Sequence, residues 1–431
     1  MQREPGSTEA RRKGGSRFPI AALYFAVIAL PPAMFYFGLS SSQTLGFMLA
    51  SLLLLNRRLA GTPRRIRLTP AARIKLGGFA AVVLPVVTLH FIVAAALQPV
   101  DVLRAAASLL PLTLLLFGGA ALARALVLVS GPVLRQGMTR CFVVMCGLAA
   151  LGAAGVSVPT LLEDWRRPVF PFSEPSMFAL AFIPLLLFVG VSARGMARAG
   201  YLLLGLACTM LIQNLTLAVG FLLVATLTLR IPMLVALVAL VAIVAVGGAQ
   251  LDLSYYTDRL DFSGEVSNLS NLVYVQGWEM IEEAWRRSSG VGLGFQQLGV
   301  QGTDVPAAHL LRAIRDGEDM NLLDGGFVFA KLGSDFGLLG GLLALAYLGL
   351  AARSLLALRA AADKPGSVAP VLILMHCTIL SFSIELFVRG AGYFTGAALL
   401  LVAALNVLAL QRQSRSLPRS STAVVVSPTA A

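Results

Sequence analysis

The feature that most constrains this chain is a succession of apolar runs, many of them long enough to cross a lipid bilayer. A helix needs about 20 apolar residues to span a hydrocarbon core of about 30 Å, and such runs recur along most of the 431 residues. Hydrophobic residues make up 57% of the chain and charged residues 13%, whereas soluble domains carry roughly a quarter charged residues. In lipid, such runs satisfy their backbone hydrogen bonds internally as helices. The sequence therefore predicts an all-α, polytopic transmembrane protein with about 10–12 spans.

One apolar segment decides the orientation of everything that follows it. The predicted spans are 18–38, 45–55, 76–97, 105–123, 141–162, 177–193, 201–229, 231–249, 327–351, 368–386 and 391–410. Segment 201–229 is long for one span and short for two, and it carries Gln213, Asn214 and Thr216 at its middle. If it crosses twice, the region after 249 lies outside the cell, and if it crosses once, that region lies inside.

Charge in the connecting segments predicts which side is cytoplasmic. Cytoplasmic loops collect Lys and Arg, and the densest basic cluster of the chain lies between Arg57 and Lys75. Both termini are basic as well, so both are predicted to be cytoplasmic. The net charge of +13 therefore indicates which loops are cytoplasmic and does not indicate nucleic-acid binding. The four cysteines fall in or beside apolar spans, which gives no pattern of disulfides or thiolate metal ligands.

The region after 249 is the exception to this basic pattern. It holds twelve acidic residues and five arginines between Leu251 and Gly325, so it is predicted to lie outside the cell. The expected division of the chain is a basic cytoplasmic N-terminus at 1–17, transmembrane helices at 18–249, a long periplasmic loop at 250–325, C-terminal transmembrane helices at 326–410 and a disordered cytoplasmic tail at 411–431.

Four bulky residues in the long loop recur at helical spacing: Tyr274, Trp278, Ile281 and Trp285. This spacing predicts an amphipathic helix with both tryptophans on one face, ended by Ser288-Ser-Gly290. The helix lies at the membrane interface with its indoles at headgroup depth, or it also presents Glu279 or Arg286 to a lipid-linked substrate.

A second short amphipathic helix is predicted over 307–316. It places His309, Arg312 and Asp316 on one face. A lone histidine in a loop is more often incidental than catalytic, so His309 is a secondary candidate. Because the other two histidines lie on transmembrane segments, we expect no metal site and no cofactor.

Polar residues at the outer ends of the late spans are functional candidates because charge is costly in a bilayer. They are Lys331, Asp335, Glu385 and Arg389. Lys331 and Asp335 form an intrahelical ion pair at i, i+4, or Lys331 faces an outward cavity and neutralises a phosphate. Gly290-Val-Gly-Leu-Gly294 lacks the βαβ unit of a nucleotide fingerprint, so it predicts a tight turn at the membrane surface.

Three groups of short motifs follow one another over residues 160–345. They are Phe172-Ser-Glu-Pro-Ser176 with Gln213-Asn-Leu-Thr216, then Arg259 with Trp278-Glu279 and Gly290–Gly294, then Asn321-Leu-Leu-Asp-Gly-Gly326 with Lys331 and Phe336-Gly-Leu-Leu-Gly340. Together they resemble the O-antigen polymerase and O-antigen ligase superfamily of bacterial envelope glycosyltransferases. The third group is more similar to polymerases, because ligases more often have a His-Asn pair where this chain has Met320-Asn321.

The resemblance implies metal-independent, inverting glycosyl transfer at the periplasmic face of the bacterial inner membrane. The donor would be an oligosaccharide on undecaprenyl pyrophosphate, and the acceptor a sugar hydroxyl of a second lipid-linked unit. Membrane lipid and a chain-length regulator are the further partners implied. The candidate substrate-binding residues are Arg166, Arg167, Arg259, Trp278, Arg286, His309, Arg312, Asn321 and Lys331. The candidate acids or bases are Glu174, Glu279, Asp319 and Asp324.

Two alternatives remain open beside the polymerase. The first is the ligase, which would transfer finished polysaccharide to the lipid A core. The second is a secondary transporter or flippase, a class that commonly contains an internal repeat and midplane charges. This chain has no obvious repeat, and its charged groups gather at one outer surface. Glu174 also has a second interpretation, since an acid before Pro175 is typical of a helix start.

Overall fold

The computed structural model describes residues 20–56, 70–156, 169–230, 232–233 and 268–416. These residues form helices and no β-strands, which confirms the all-α prediction. The helices are α1 (Ile20–Tyr36), α2 (Thr44–Leu55), α3 (Pro70–Leu97), α4 (Val102–Val127), α5 (Gly131–Ala153), α6 (Pro175–Ser192), α7 (Gly195–Ile212), α8 (Leu215–Thr228), α9 (Leu269–Arg287), α10 (Pro306–Ile314), α11 (Val328–Asp363), α12 (Pro370–Phe387) and α13 (Gly396–Ser416).

The chain is a polytopic helical membrane protein. Seven helices of the described residues are long and apolar enough to cross a bilayer, namely α3 over Gly77–Leu97, α4, α5, α6, α7, α11 and α12. The apolar helices α1, α2, α8 and the Gly396–Gln411 part of α13 are shorter. Most of the predicted span 231–249 lies outside the described residues, as do 1–19 and 417–431.

Several helices extend beyond their predicted bounds into segments that carry arginine. The predicted span 141–162 is displaced, because α5 begins at Gly131 and contains Arg135 and Arg140. Helix α11 continues past 351 to Asp363, and α13 passes the predicted boundary at 410. The physical reason is that long Arg side chains reach the membrane surface from within a helix, so a charge does not end the helix.

Segment 201–229 contains a helix break. Helix α7 ends at Gln213, which adopts the left-handed conformation (φ 48°, ψ 59°). Asn214 then caps α8 by accepting a hydrogen bond from the Leu217 N–H at 3.1 Å. Arg198 in α7 donates to the carbonyl of Thr228, the last residue of α8, at 3.1 Å. Since the start of α7 lies beside the end of α8, the two helices form an antiparallel hairpin.

The ends of four helices meet at one side of the molecule. Arg198 also donates to the Ala193 carbonyl at 3.1 Å and to the Ala362 carbonyl at 2.7 Å. Arg359 donates to the Thr226 carbonyl at 3.0 Å. These bonds join the C-terminal ends of α6, α8 and α11 to the start of α7. We call this side the basic face.

The opposite side carries α9, α10 and the segments that connect them to α11. The turn between α3 and α4 docks against these segments, because the Asp101 N–H donates to Gln297 Oε1 at 2.7 Å. Gln98 Nε2 also donates to the Gly292 carbonyl at 3.1 Å. The start of α6 and the end of α12 belong to the same side, where Arg389 contacts Glu174. We call this side the loop face.

Candidate functional site

The glycine-rich segment Gly290–Gly294 packs against a break in α11. Gly337 interrupts that helix with φ 57° and ψ −132°, and the Leu338 N–H donates to the Gly290 carbonyl at 2.9 Å. Gly290, Gly292 and Gly294 all have positive φ values, which confirms the predicted tight turn. A Cβ on Gly292 would lie 2.5 Å from the Gly337 nitrogen. Only glycines permit two backbones to approach this closely.

Asp335 holds the loop that follows these glycines. Its carboxylate is fully buried, at 0% exposure. It accepts hydrogen bonds from the backbone N–H groups of Gln296 and Gln297 at 3.0 Å and of Leu298 at 2.9 Å. The Tyr393 hydroxyl donates a fourth hydrogen bond at 3.1 Å. Asp335 therefore has a structural role, because its oxygens are occupied by fixed donors.

Lys331 lies one helical turn before Asp335 and is buried, at 3% exposure. Its ammonium donates to the Leu323 carbonyl at 2.7 Å. Its Nζ atom lies 4.0 Å from Asp335 Oδ2. The predicted i, i+4 pair therefore forms, but at the longest distance at which two charged groups count as an ion pair. Its Nζ atom is also 5.4 Å from the centre of the Tyr393 ring. Among the described residues, Asp335 and Asp324 are the two negative charges that act on Lys331.

Asp324 interacts electrostatically with Lys331, Arg389 and Glu174. Burial raises the pKa of the Asp324 carboxyl above its usual range, although Lys331 and Arg389 favour the charged form. Its Oδ1 accepts a long hydrogen bond from the Gly326 N–H at 3.4 Å. A Cβ on Gly392 would lie 3.6 Å from the Asp324 Cβ and 3.9 Å from the Lys331 Cδ. The segment after α12 therefore packs against both side chains.

The Glu174–Arg389 ion pair completes this group of charges. Arg389 Nη2 lies 2.8 Å from Glu174 Oε2, which also accepts from the Ser176 hydroxyl at 2.9 Å. Glu174 immediately precedes α6, as its helix-start interpretation predicts, but its side chain makes no capping hydrogen bond to the helix backbone. We call Glu174, Asp324, Lys331 and Arg389 the outer cluster.

Arg389 was not among the predicted substrate-binding residues, although the sequence carries a signal for it. An arginine directly after an apolar span on the predicted outer side departs from the tendency of Arg to gather in cytoplasmic loops. Arg104, beside the α3–α4 turn, adds positive potential at Lys331. The loop face thus combines three cations, Arg104, Lys331 and Arg389, with the carboxyls of Asp324 and Glu174.

Helix α9 has the predicted amphipathic face and ends at the predicted place, with Ser288 after its last residue. Trp278 is 41% exposed. Together with Tyr274, Trp285 and Phe329, it lines an apolar groove. The groove continues past Trp285 and Phe329 along α11 to residues Leu338, Leu342, Leu345 and Leu348 and to Phe387 of α12. It therefore runs from the loop face along a transmembrane helix.

Glu279, a predicted acid or base, does not belong to the outer cluster and instead bonds to the backbone of α10. Its Oε2 accepts a hydrogen bond from the Ala307 N–H at 2.9 Å. Ala307 is in the first turn of α10, where backbone N–H groups have no partner within the helix. Glu279 thereby joins α9 to α10. Its predicted chemical role stays a prediction.

Four other predicted residues make ion pairs or side-chain hydrogen bonds within the loop. His309 lies 2.6 Å from Asp304, Arg312 lies 2.6 Å from Asp319, and Arg286 pairs with Glu283. All these pairs are local to α9, α10 and the segments beside them. The predicted helix over 307–316 is too long, because α10 ends at Ile314 and Asp316 has φ 53°. Asp316 therefore does not continue the helical face of His309 and Arg312.

Asn321 acts through its backbone in the structure. It has φ 54°, and its carbonyl accepts a hydrogen bond from the Gly325 N–H at 2.7 Å. This turn holds Asp324 above the start of α11. The predicted arginines Arg166, Arg167 and Arg259 lie outside the described residues.

The outer cluster offers the chemistry of charged side chains, two cations and two carboxyl groups. Within the described residues, no three His, Cys, Asp or Glu side chains are grouped as ligands of a metal ion. The cluster can bind an anion through Lys331 and Arg389 and can accept a proton at Asp324 or Glu174. No protein-family profile, no curated protein and no solved structure matches this chain at a significant level.

Proposed function

We propose that this protein joins lipid-linked oligosaccharide units into an envelope polysaccharide of the O-antigen type. The observation that carries the proposal is the outer cluster, in which the buried cation Lys331 lies beside Asp324 and the Glu174–Arg389 pair. The motifs that resemble O-antigen polymerases contribute three of its four residues. The proposal assigns the loop face to the periplasm of a bacterial inner membrane.

The cations of the cluster suit a pyrophosphate leaving group. As the glycosidic bond to undecaprenyl pyrophosphate breaks, negative charge builds up on the departing phosphate oxygen. Preorganised cations in a partly dry site stabilise such charge more strongly than water does. Lys331 provides a fixed ammonium, and the planar guanidinium of Arg389 can bind two phosphate oxygens at once. Substrate would compete with Glu174 for Arg389.

A carboxyl of the cluster would receive the proton of the attacking sugar hydroxyl. General bases work best when their pKa is near the working pH. Burial raises the pKa of Asp324 in that direction, and its carboxylate has few fixed donors. Asp324 is therefore our first choice for the base, and Glu174 is the second.

The apolar groove beside α9 fits the polyprenyl chain of such a substrate. Its aromatic residue Phe329 precedes Lys331 by two positions, and Phe387 precedes Arg389 by two positions. The groove therefore reaches the same level of α11 and α12 as the two cations, although residues two positions apart lie on different sides of a helix. Trp278 lies at the end of the groove that faces the loop, where it can pack against the first prenyl units or a sugar ring.

The test is to replace Lys331 in the source bacterium and to examine the polysaccharide ladder. Lys331→Ala should lower the yield of long chains by at least about 100-fold, because it removes a transition-state cation, while single repeat units remain. Lys364→Ala is the matched control, since Lys364 follows α11 at the basic face. Both variants must be present in the membrane at the wild-type level.

Other outcomes would contradict the proposal. A wild-type ladder in Lys331→Ala would remove the outer cluster from the reaction. A null mutant that still makes long lipid-linked polymer but cannot attach it would identify a ligase. Ion-driven or potential-driven substrate flux in proteoliposomes, without formation of a glycosidic bond, would identify a transporter.

A further inference from the structure

A second polar site lies inside the helix bundle, between α1, α6, α12 and α13. It is a small, partly open cavity of about 50 Å³ whose wall is mostly apolar. None of the outer-cluster residues lines it, and no Lys, Arg or His is among the described residues of its wall. Its polar groups are concentrated on one face of α12.

That face consists of Thr378, Ser381 and Glu385, at positions i, i+3 and i+7 of the helix. All three side chains are buried, and Glu385 is 2% exposed. Its Oε1 accepts a hydrogen bond from the Thr395 hydroxyl at 2.9 Å. Its Oε2 has no hydrogen-bond partner among the described residues. A buried carboxylate without a partner is costly, so this oxygen calls for a positively charged or hydrogen-donating ligand.

The hydroxyl groups of the wall are already used as donors. Thr378 donates to the Leu374 carbonyl at 3.0 Å, and Ser381 donates to the Thr378 carbonyl at 3.1 Å. Their oxygens keep free lone pairs but offer no hydrogen to a ligand. At the cavity wall, the Gln43 amide donates to the Met177 sulfur at 3.3 Å. The polar part of the cavity is therefore rich in acceptors.

Two prolines add further acceptors to the same wall. Pro32 in α1 has no N–H to donate to the Ile28 carbonyl, and Pro184 in α6 has none for the Leu180 carbonyl. All four residues line the cavity. Both helices are continuous at these prolines, so the freed carbonyl oxygens can serve as neutral ligands for a group bound in the cavity.

We propose that this cavity binds one monovalent cation, held by Glu385 together with neutral oxygens of Thr378, Ser381 and the carbonyls of Ile28 and Leu180. One carboxylate matches a single positive charge, whereas Ca²⁺ sites commonly use several carboxylates. A proton is the alternative occupant of Glu385, since no described residue hydrogen-bonds to Oε2. A cation can be coordinated by several oxygens that lie too far apart to hydrogen-bond to one another. The proposal does not depend on the glycosyl-transfer function.

The experiment measures binding of radioactive Na⁺ to the purified full-length protein in detergent, with choline chloride keeping the ionic strength constant. We expect saturable binding in the wild type and at least about tenfold weaker binding in Glu385→Gln, which removes the charged ligand. Wild-type protein without saturable binding, or Glu385→Gln that binds as tightly as wild type, would overturn the site.

A matched pair of threonine variants tests the neutral ligands. Thr378 and Thr209 are both buried, and each donates its hydroxyl to the carbonyl four residues earlier. Only Thr378 lines the cavity. Thr378→Val should weaken Na⁺ binding, whereas Thr209→Val should leave it unchanged. Equal affinities in the two variants would remove Thr378 from the set of ligands.

A thermal measurement keeps the proposal testable if Glu385→Gln does not fold. The unfolding midpoint of the wild type should be higher in Na⁺ than in choline at equal ionic strength, because a ligand of the folded state stabilises it. An equal midpoint in both salts would contradict the proposal. A midpoint that responds to pH but not to Na⁺ would mean that Glu385 holds only a proton.

Discussion

Asp324 and Asp335 are two aspartates on the loop face with opposite environments. The Asp335 carboxylate accepts three backbone N–H groups and the Tyr393 hydroxyl, which stabilises its charge and leaves it no capacity for a substrate. Asp324 accepts a long bond from Gly326, and burial raises its pKa. The first residue is therefore structural, and the second is available for chemistry.

Amide substitutions should separate these roles. Asp335→Asn should lower the free energy of unfolding by about 2–3 kcal/mol, because charge-assisted bonds are lost and an amide group faces backbone donors. Asp324→Asn should change that free energy by less than about 1 kcal/mol and should abolish long-chain polysaccharide. Denaturant unfolding in detergent and the polysaccharide ladder provide the two measurements. Similar destabilisation by both substitutions would contradict the assignment.

Contacts between individual residues were harder to predict from the sequence than the helices themselves. The spacing of Lys331 and Asp335 places both on one helical face, and the structure agrees. However, the backbone donors of Asp335 lie 37 to 39 residues earlier in the chain, and Arg389 is 215 residues from Glu174. No local pattern encodes such pairs, because they depend on how helices pack.

At the scale of elements, the break in α11 organises the loop face. Gly337 interrupts the helix with a positive φ, and the Gly290–Gly294 segment fills the space beside the break. A Cβ on Gly337 would lie 2.1 Å from the Gly290 carbonyl oxygen. The backbone of the glycine-rich motif thus packs directly against the backbone of α11.

Alanine substitutions at two glycines of α11 test this docking. Gly337→Ala should destabilise the protein by at least about 1–3 kcal/mol, because it strains a positive-φ residue and displaces the Gly290 segment. Gly349→Ala is the matched control, since no atom outside its local helix backbone lies within 4 Å of the added Cβ. It should be neutral or stabilising by roughly 0.5–1 kcal/mol. Thermal midpoints that fall equally in both variants would argue against the docking.

Prediction of the elements succeeded where one periodic pattern ran between clear stop signals. Helix α9 was predicted from the spacing of its aromatic residues and from the Ser288-Ser-Gly290 end. The predicted span 141–162 is wrong for α5, because Arg135 and Arg140 lie within the helix. An arginine near a membrane surface is compatible with either a helix or a loop, so charge alone does not define a helix end.

At the scale of the whole molecule, the α7–α8 hairpin brings the chain back to the basic face. Arg198 bonds three helix ends there, from α6, α8 and α11. Arg194 and Lys364 line a surface pocket beside it. The outer cluster and the glycine-rich loop lie on the opposite side of the bundle. The proposed function requires this arrangement, in which the outer cluster and the basic face lie on opposite sides of the membrane.

Cysteine labelling tests which face is periplasmic. In a variant without the four native cysteines, Glu318→Cys on the loop face should react with an impermeant thiol reagent in intact spheroplasts. Lys364→Cys on the basic face should react only after permeabilisation. Both positions are exposed, so accessibility within the protein does not explain a difference. The reverse pattern would overturn the proposed orientation and, with it, the polymerase.

The sequence by itself determined the helical, many-span class and the amphipathic helix α9. These properties depend on local hydropathy, spacing and capping, because a helix satisfies its backbone within one segment. Only the tertiary structure decided that segment 201–229 breaks at Gln213 into a hairpin and that Glu174, Asp324, Lys331 and Arg389 meet. It also showed that Glu385 faces a cavity of acceptor oxygens. Helix packing brings together residues that are distant in sequence, and neither hydropathy nor charge in a single segment specifies those contacts.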